Sequence, residues 1–306
     1  TFRRLPWRDE VLEGLLEYDL VGLQTRRDIV SLRRIVEELT DATVESDGSG
    51  LRIHSDDNLT TIRVFPIGCD FDEFSDRAST EAVTNELDRL HERIGDFQVL
   101  LGVDRLDYTK GLVPRLEAFE RALEKYPELQ GEVVLYQLVV PSRESVDEYS
   151  ALKEDLDQII GRIEGRFSTS GWQPIQYRYC SVDIDELTAL YRYAAAAVVT
   201  PIRDGMNLVA KEYCAAQVDE TGVLILSEFA GAAERLADGA VVINPHDRER
   251  LADAIYRGVA MPRSERVSRM RHLRKQIRRT DVYAWADAFL TELGAAGRSG
   301  IRGAGR

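Results

Sequence analysis

The chain has 306 residues, 44% of them hydrophobic, and a formal net charge of −13 from 40 Lys and Arg against 53 Asp and Glu. That is apolar material for one large or two medium domains, and the acidic balance argues against a nucleic-acid backbone binder while leaving open a small anion held in a local basic pocket. No apolar run reaches membrane-spanning length, the first seven residues do not make a signal peptide, and Cys69, Cys180 and Cys214 are too widely spaced for a disulfide framework or a zinc site, so a reducing, cytoplasmic setting is expected.

Helical spacing of Val11, Leu12, Leu15 and Leu16 predicts a helix over 9–18. A short apolar strand over 19–24 follows, then a helix ending near Leu39 with Thr25 as its N-cap. Residues 40–50 are polar and turn-rich and read as a loop. Strands over 51–54 and 60–65 suggest a hairpin, and a long charged helix over 79–94 leads to an expected domain boundary near Gly95. From there the rhythm is regular. Strands over 97–103, 133–140, 175–180, 196–200, 223–227 and 240–243 alternate with helices over 112–125, 145–166, 184–193, 206–218, 231–236 and 248–259. That order implies an α/β fold with a parallel, doubly wound sheet, whose ligands sit beyond the carboxyl ends of the strands. Two closing helices are expected over 264–279 and 283–293, and the Gly- and Arg-rich 297–306 reads as a disordered tail. The residues before Gly95 offer too few strands for a complete sheet of their own.

The chemically suggestive residues follow strands. In Thr200-Pro-Ile-Arg-Asp-Gly-Met-Asn-Leu-Val-Ala-Lys-Glu212 a strand ends in a tight turn with Asp204, Gly205 and Asn207, and a helix opens at Met206. Backbone N–H groups and the helix dipole there suit a phosphate, and Glu212 lies where a carboxylate reaches sugar hydroxyls. The same pattern also fits an ordinary βα turn with Asp204 as a cap. Arg105 and Lys110 occupy the loop after the strand over 97–103 and could grip a diphosphate from the facing side, or stay solvated. Arg143 sits after the strand over 133–140, where either a second anion or a pairing with Glu144 or Asp147 accounts for it. Glu228 reads as a hydroxyl ligand or a helix cap, and Trp172 as packing. His54, His91, His246 and His272 form no ligand-spaced cluster. The absence of GxGxxG, a Walker lysine motif and GxSxG removes most nicotinamide enzymes, P-loop ATPases and serine hydrolases.

Arg105-Leu-Asp-Tyr-Thr-Lys-Gly111, Pro141-Ser-Arg143, Ser181-Val182 with Leu187, the run from Thr200 to Glu212 and Ser227-Glu-Phe-Ala-Gly231 together resemble the trehalose-6-phosphate synthases. So do Leu5-Pro-Trp7, Asp19-Leu-Val-Gly-Leu-Gln-Thr25 and Phe65-Pro-Ile-Gly68, and the resemblance extends to about Leu293. It implies a GT-B-type retaining glucosyltransferase of two Rossmann-like domains, joining glucose from UDP-glucose or another nucleoside diphosphate glucose to glucose 6-phosphate. Residues 1–95 would be the second half of the acceptor-side domain, 96–280 the nucleotide-sugar domain, and 281–296 a helix returning towards the first. By the same resemblance Arg105 and Lys110 would hold the donor diphosphate and stabilise the leaving charge. Asp204 would hold glucose hydroxyls, and the backbone of Gly205, Met206, Asn207, Leu208 and Val209 would meet glucose and phosphates. Glu212 would take the ribose, Val182 and Leu187 would flank the base, and Arg143 would bind the acceptor phosphate. No metal or other cofactor is implied, and a homo-oligomer is left open. The earlier part of the family's N-terminal domain is not in the sequence, so the chain by itself is expected to be inactive or strongly impaired. The rival families are glucosylglycerol-phosphate synthase, which usually lacks the counterpart of Arg143 and often has Leu for Met206, the pseudo-glycosyltransferase of validoxylamine synthesis, and non-catalytic sugar-phosphate sensors.

Overall fold

The computed structural model describes residues 2–55, 58–142 and 147–303. The chain forms two compact units, Thr1–Gly68 with Thr280–Arg306, and Cys69–Arg279.

The first unit begins with α1 (Arg8–Leu16), β1 (Leu20–Leu23) and α2 (Arg26–Leu39), followed by β2 (Thr43–Ser46), β3 (Gly50–Ser55) and β4 (Asn58–Val64). Thr25 starts α2 through a capping box with Asp28, each side chain meeting the other's backbone N–H. The sheet order is β1-β4-β3-β2, with β1 parallel to β4 and the other pairings antiparallel. Leu12, Leu16, Val36, Leu51, Ile53 and Ile62 form its core. Strand β2 lies where the sequence reads as a loop, because its largely exposed residues carry no apolar alternation.

The second unit opens with α3 (Phe71–Arg77) and α4 (Glu81–Ile94). It continues through β5 (Gln98–Arg105), α5 (Leu112–Lys125), β6 (Val133–Val140), α6 (Asp147–Phe167), β7 (Ile175–Tyr179), α7 (Ile184–Tyr193), β8 (Ala196–Val199), α8 (Leu208–Ala216), β9 (Val223–Ser227), α9 (Ala233–Leu236), β10 (Val241–Ile243), α10 (Arg248–Ala260) and α11 (Arg263–Arg279). Its six strands are all parallel, in the order β10-β9-β8-β5-β6-β7. Counted within the unit this is the 3-2-1-4-5-6 order of a dinucleotide-binding sheet, and the direction of winding reverses between β5 and β8. The inner strands β6 and β9 are buried almost throughout, as a helix-covered parallel sheet requires, while the edge strand β7 is mostly half-buried.

The boundary lies at Gly68 and Cys69, not near Gly95. Helix α4 buries Val83, Leu90 and Ile94, its Arg93 donates to Tyr136 Oη at 3.0 Å, and Tyr193 Oη donates to Gly95 O at 2.6 Å. Packing therefore assigns to the second unit helices that precede its first strand. Helix α3 carries one buried side chain, Phe71, too little to leave a periodic signal.

A last helix, α12 (Val282–Gly303), belongs to the first unit. Trp285 Nε1 donates to Phe65 O at 3.0 Å, Phe289 meets the edge of Phe65 at 5.0 Å, and Glu292 accepts from Arg63 at 3.0 Å. Its backbone stays helical through Gly303, beyond the expected end at residue 293 and into the Gly- and Arg-rich stretch expected to be disordered.

Candidate functional site

Strand β5 ends at Arg105, an exposed side chain with no hydrogen bond or ion pair among the described residues. The chain then makes a 3-10 turn, Tyr108–Lys110, capped by the Asp107 carboxylate, which accepts from Thr109 N at 2.8 Å. Gly111 closes the turn with φ +65°, and a Cβ there would also overlap Thr200 O. Conformation and close approach both require glycine at this point.

The loop after β8 lies against that turn. Ile202 N donates to Thr109 O at 2.8 Å, and Lys110 Nζ meets Asp204 Oδ2 at 2.6 Å. Asp204 Oδ2 also accepts from Asn207 Nδ2 at 3.1 Å, and its Oδ1 from Met206 N at 3.3 Å. The loop after β9 is joined to the same strip: Asp204 N donates to Phe229 O at 3.2 Å, Gly231 N to Asp204 O at 3.1 Å, and Ser227 Oγ to Pro201 O at 2.7 Å. Three strand ends thus converge on Asp204.

Helix α8 starts at Leu208, not at Met206 as the sequence suggests. Asn207 is its N-cap, held at φ +76° with its Oδ1 accepting from Ala210 N at 3.0 Å. The cap is therefore Asn207, and Asp204 is left to Lys110 and the turn. A side chain other than glycine at positive φ costs about 1–3 kcal/mol and persists where its surroundings enforce it. The N–H groups of Leu208 and Val209 lie in the first turn, where no partner exists within the helix. Gly205 is exposed, and a Cβ there meets nothing within 4 Å.

One turn into α8, Glu212 Oε2 accepts from Tyr191 Oη at 2.9 Å, and burial raises the carboxyl above the usual range. The Tyr191 bond places α7 beside α8, so Leu187, one turn before Tyr191, approaches the same end of the sheet as Glu212. Leu187 and Val182 are both half-buried in or before α7, whose N-terminus is capped by Asp183, accepting from Asp185 N at 3.0 Å and Glu186 N at 2.8 Å. Lys211 points to the interior at 3% exposure, and burial lowers its ammonium to about 8. Cys69 is among the groups whose charge reaches Lys211 and Glu212, and burial pushes its thiol up to about 12.

Arg143 lies outside the described residues. Glu228 does not cap α9, whose N-cap is Ala232 without a side-chain bond. Trp172 is buried and donates to Val133 O at 3.0 Å, a packing role as expected. No group of three His, Cys, Asp or Glu among the described residues could hold a metal ion, and no described helix is long and apolar enough to cross a membrane.

The sequence reading missed a layer beneath these loops. Arg115 on α5 is 1% exposed. Its Nη2 lies 2.7 Å from Asp104 Oδ2, outside good hydrogen-bond direction, so this contact is chiefly charge pairing. Its Nε donates to Thr200 Oγ1 at 3.0 Å and its Nη1 to Gln137 Oε1 at 3.0 Å. Position 115 shares the apolar face of Leu112, Phe119 and Ala122, and an arginine on such a stripe was the available signal.

Comparison with known proteins agrees on one family. The model of glycosyltransferase family 20 matches residues 1–295. An alpha,alpha-trehalose-phosphate synthase [UDP-forming] of Dictyostelium discoideum is 43% identical over 299 residues, covering 96% of this chain and 40% of that protein. One of Pichia angusta is 40% identical over 293 residues, covering 95% and 61%. The Burkholderia xenovorans enzyme of that name, in complex with glucose-6-phosphate, superposes with a TM-score of 0.91 at 37% identity, over 95% of this chain and 64% of that one. An E. coli structure bound with UDP-2-fluoro glucose gives 0.90 at 37%, over 95% and 64%. The chain spans 40% and 61% of the lengths of the two curated relatives.

Proposed function

We propose that this chain, which belongs to glycosyltransferase family 20 and has its GT-B-type α/β fold, serves a retaining transferase that moves glucose from UDP-glucose to glucose 6-phosphate, forming trehalose 6-phosphate. The observation that carries this reading is the meeting of Lys110 with Asp204 beside the N-terminus of α8, at the switch point between β5 and β8. A doubly wound sheet binds its ligand there.

The donor's diphosphate would lie between Arg105 and Lys110 on one side and the amides of Leu208 and Val209 on the other. Guanidinium, ammonium and helix dipole together offset the charge that grows on the departing diphosphate. Asp204, already ordered by three donors, offers carboxylate oxygens to glucose hydroxyls. Gly205 lets a sugar approach the backbone. Glu212, with Tyr191 on one oxygen, turns the carboxylate towards the ribose, and Val182 and Leu187 border the base. Arg143 would take the acceptor's phosphate. With cations and amides at the diphosphate, the chemistry needs no metal, and neither UDP-glucose nor glucose 6-phosphate is a cofactor. Retention follows if the acceptor hydroxyl attacks from the face the diphosphate leaves, with a phosphate oxygen receiving its proton; the C1–O bond to UDP breaks as the C1–O bond to the acceptor forms.

The test is product identification with the full-length protein, glucose 6-phosphate and a panel of UDP-, ADP- and GDP-glucose. Trehalose 6-phosphate formed fastest with UDP-glucose is the expected outcome. A product with glycerol 3-phosphate and none with glucose 6-phosphate would assign the chain to the glucosylglycerol-phosphate branch instead.

A further inference from the structure

The hydrogen-bonded ladder between β5 and β8 pairs only Leu100 with Ala196 and Leu101 with Ala197. Beyond those two pairs no ladder bond joins the two strands beneath the loops of the candidate site. The Arg115 guanidinium bridges them there. On one side it pairs with Asp104, the residue before Arg105, and on the other it donates to Thr200, the first residue of the Asp204 loop. Gln137 of β6 accepts from its third nitrogen. Thr200 Oγ1 in turn donates to Gly111 O at 3.2 Å, one residue past Lys110. Gly102 leaves the room for this arrangement: a Cβ there would overlap Arg115 Nη1 and Gln137 Oε1.

We propose that Arg115 is the positioning residue of the diphosphate site, a buried fork that fixes the separation of the Arg105–Lys110 loop from the Thr200–Asp204 loop. The inference rests on the diphosphate reading given above. A planar guanidinium with fixed donor directions can hold three acceptors at set distances, which a lysine on a flexible stem cannot. Backbone ladder bonds would normally set the spacing of two strands, and here they end two residues or more before the loops begin. The side chain replaces them. Its neighbour Asp104 also lies within electrostatic reach of Lys110 and Asp204, so the buried layer and the site layer are in register.

The experiment uses the 306-residue chain and the variants Arg115→Met, Arg115→Lys and Thr200→Val. Hydrogen–deuterium exchange is followed without ligand over 105–111 and 200–207, and UDP and UMP are titrated by calorimetry, with unfolding midpoints recorded for each variant. Loss of a buried charged hydrogen bond predicts about tenfold faster exchange in both loops and an about tenfold lower UDP-to-UMP affinity ratio for Arg115→Met, with UMP changed less than about twofold. Arg115→Lys is expected to fall in between. Thr200→Val keeps the Asp104 pair and removes one link, so it gives the same changes at about threefold should Arg115→Met fail to fold. Loop exchange like that of the unsubstituted chain in a folded variant overturns the proposal, as does equal weakening of UDP and UMP. If the unsubstituted chain binds no UDP, the diphosphate reading fails, and the exchange result alone still decides whether Arg115 positions the loops.

Discussion

Two carboxylate–cation pairs lie one layer apart at the carboxyl end of the second sheet, and they face different surroundings. Lys110 and Asp204 keep 16% and 12% of their side chains exposed, and Asp204 shares its oxygens with Asn207 and Met206. Arg115 and Asp104 keep 1% and 3%. A pair at the rim can exchange partners with a ligand at little cost, because water and neighbouring donors compensate each charge. A pair under the rim cannot, because each charge loses its directly contacting counter-charge in a low dielectric. Burial raises the Asp104 carboxyl, and Arg115 opposes that rise. The difference separates what the site uses on a ligand from what keeps the site in shape.

The largest expected effect comes from the lower pair. Arg115→Met leaves Asp104 buried without a partner and should cost about 3–5 kcal/mol in urea unfolding. Adding Asp104→Asn should recover a substantial part of that loss, because the stranded charge is removed with its partner. A double variant as unstable as the single one would break the comparison. The upper pair should behave in the opposite sense. Lys110→Met is expected to change stability by less than about 1 kcal/mol while lowering UDP affinity by roughly 10- to 100-fold, as the loss of a charged hydrogen bond would.

A pH effect sharpens the same contrast between interior and rim. Lys211 in the folded chain titrates at about 8 against an ordinary value of 10.5, because burial disfavours its charge. Below pH 8 the folded state carries that penalty in full. As pH rises from 8 towards 10.5 the unfolded chain binds more protons than the folded one, so this group makes stability increase. Cys69, raised from 9.0 to about 12, acts in the other direction above pH 9, so the window for Lys211 is pH 8–9. Lys211 alone contributes about 1 kcal/mol of rising stability there, Cys69 and Cys214, both raised by burial, offset part of it, and Lys211→Met should remove the Lys211 contribution from the urea midpoints. The smallest effect is expected at Gly205, where φ is ordinary and a Cβ finds open space. Gly205→Ala should leave stability unchanged or raise it by up to about 1 kcal/mol, yet weaken nucleotide-sugar binding.

How far the sequence could be read follows the same division. The parallel strands were legible as apolar runs and α5 to its ends, because buried β and amphipathic α leave clear periods. The site loops were legible as strand-to-helix turns with Arg105, Lys110 and Asp204 in them and Glu212 in the helix that follows. The start of α8 was read two residues early, since Asp204 and Asn207 both carry side chains that suit an N-cap and only the fold shows which one caps the helix. The domain boundary was not legible, because α3 and α4 join the second unit through tertiary contacts such as Arg77 with Asp185 at 2.7 Å. The buried fork was half visible: Arg115 interrupts an apolar stripe, but only the fold brings Asp104, Gln137 and Thr200 to it.

The central claim, that the switch point holds a nucleoside diphosphate between Arg105, Lys110 and the start of α8, is tested most directly by calorimetric titration of UDP into the chain and its Arg105→Ala/Lys110→Ala variant. The account predicts binding to the unsubstituted chain and a loss of about 100-fold or more in the variant, with unchanged unfolding midpoints. Equal UDP affinity in the two proteins would contradict it.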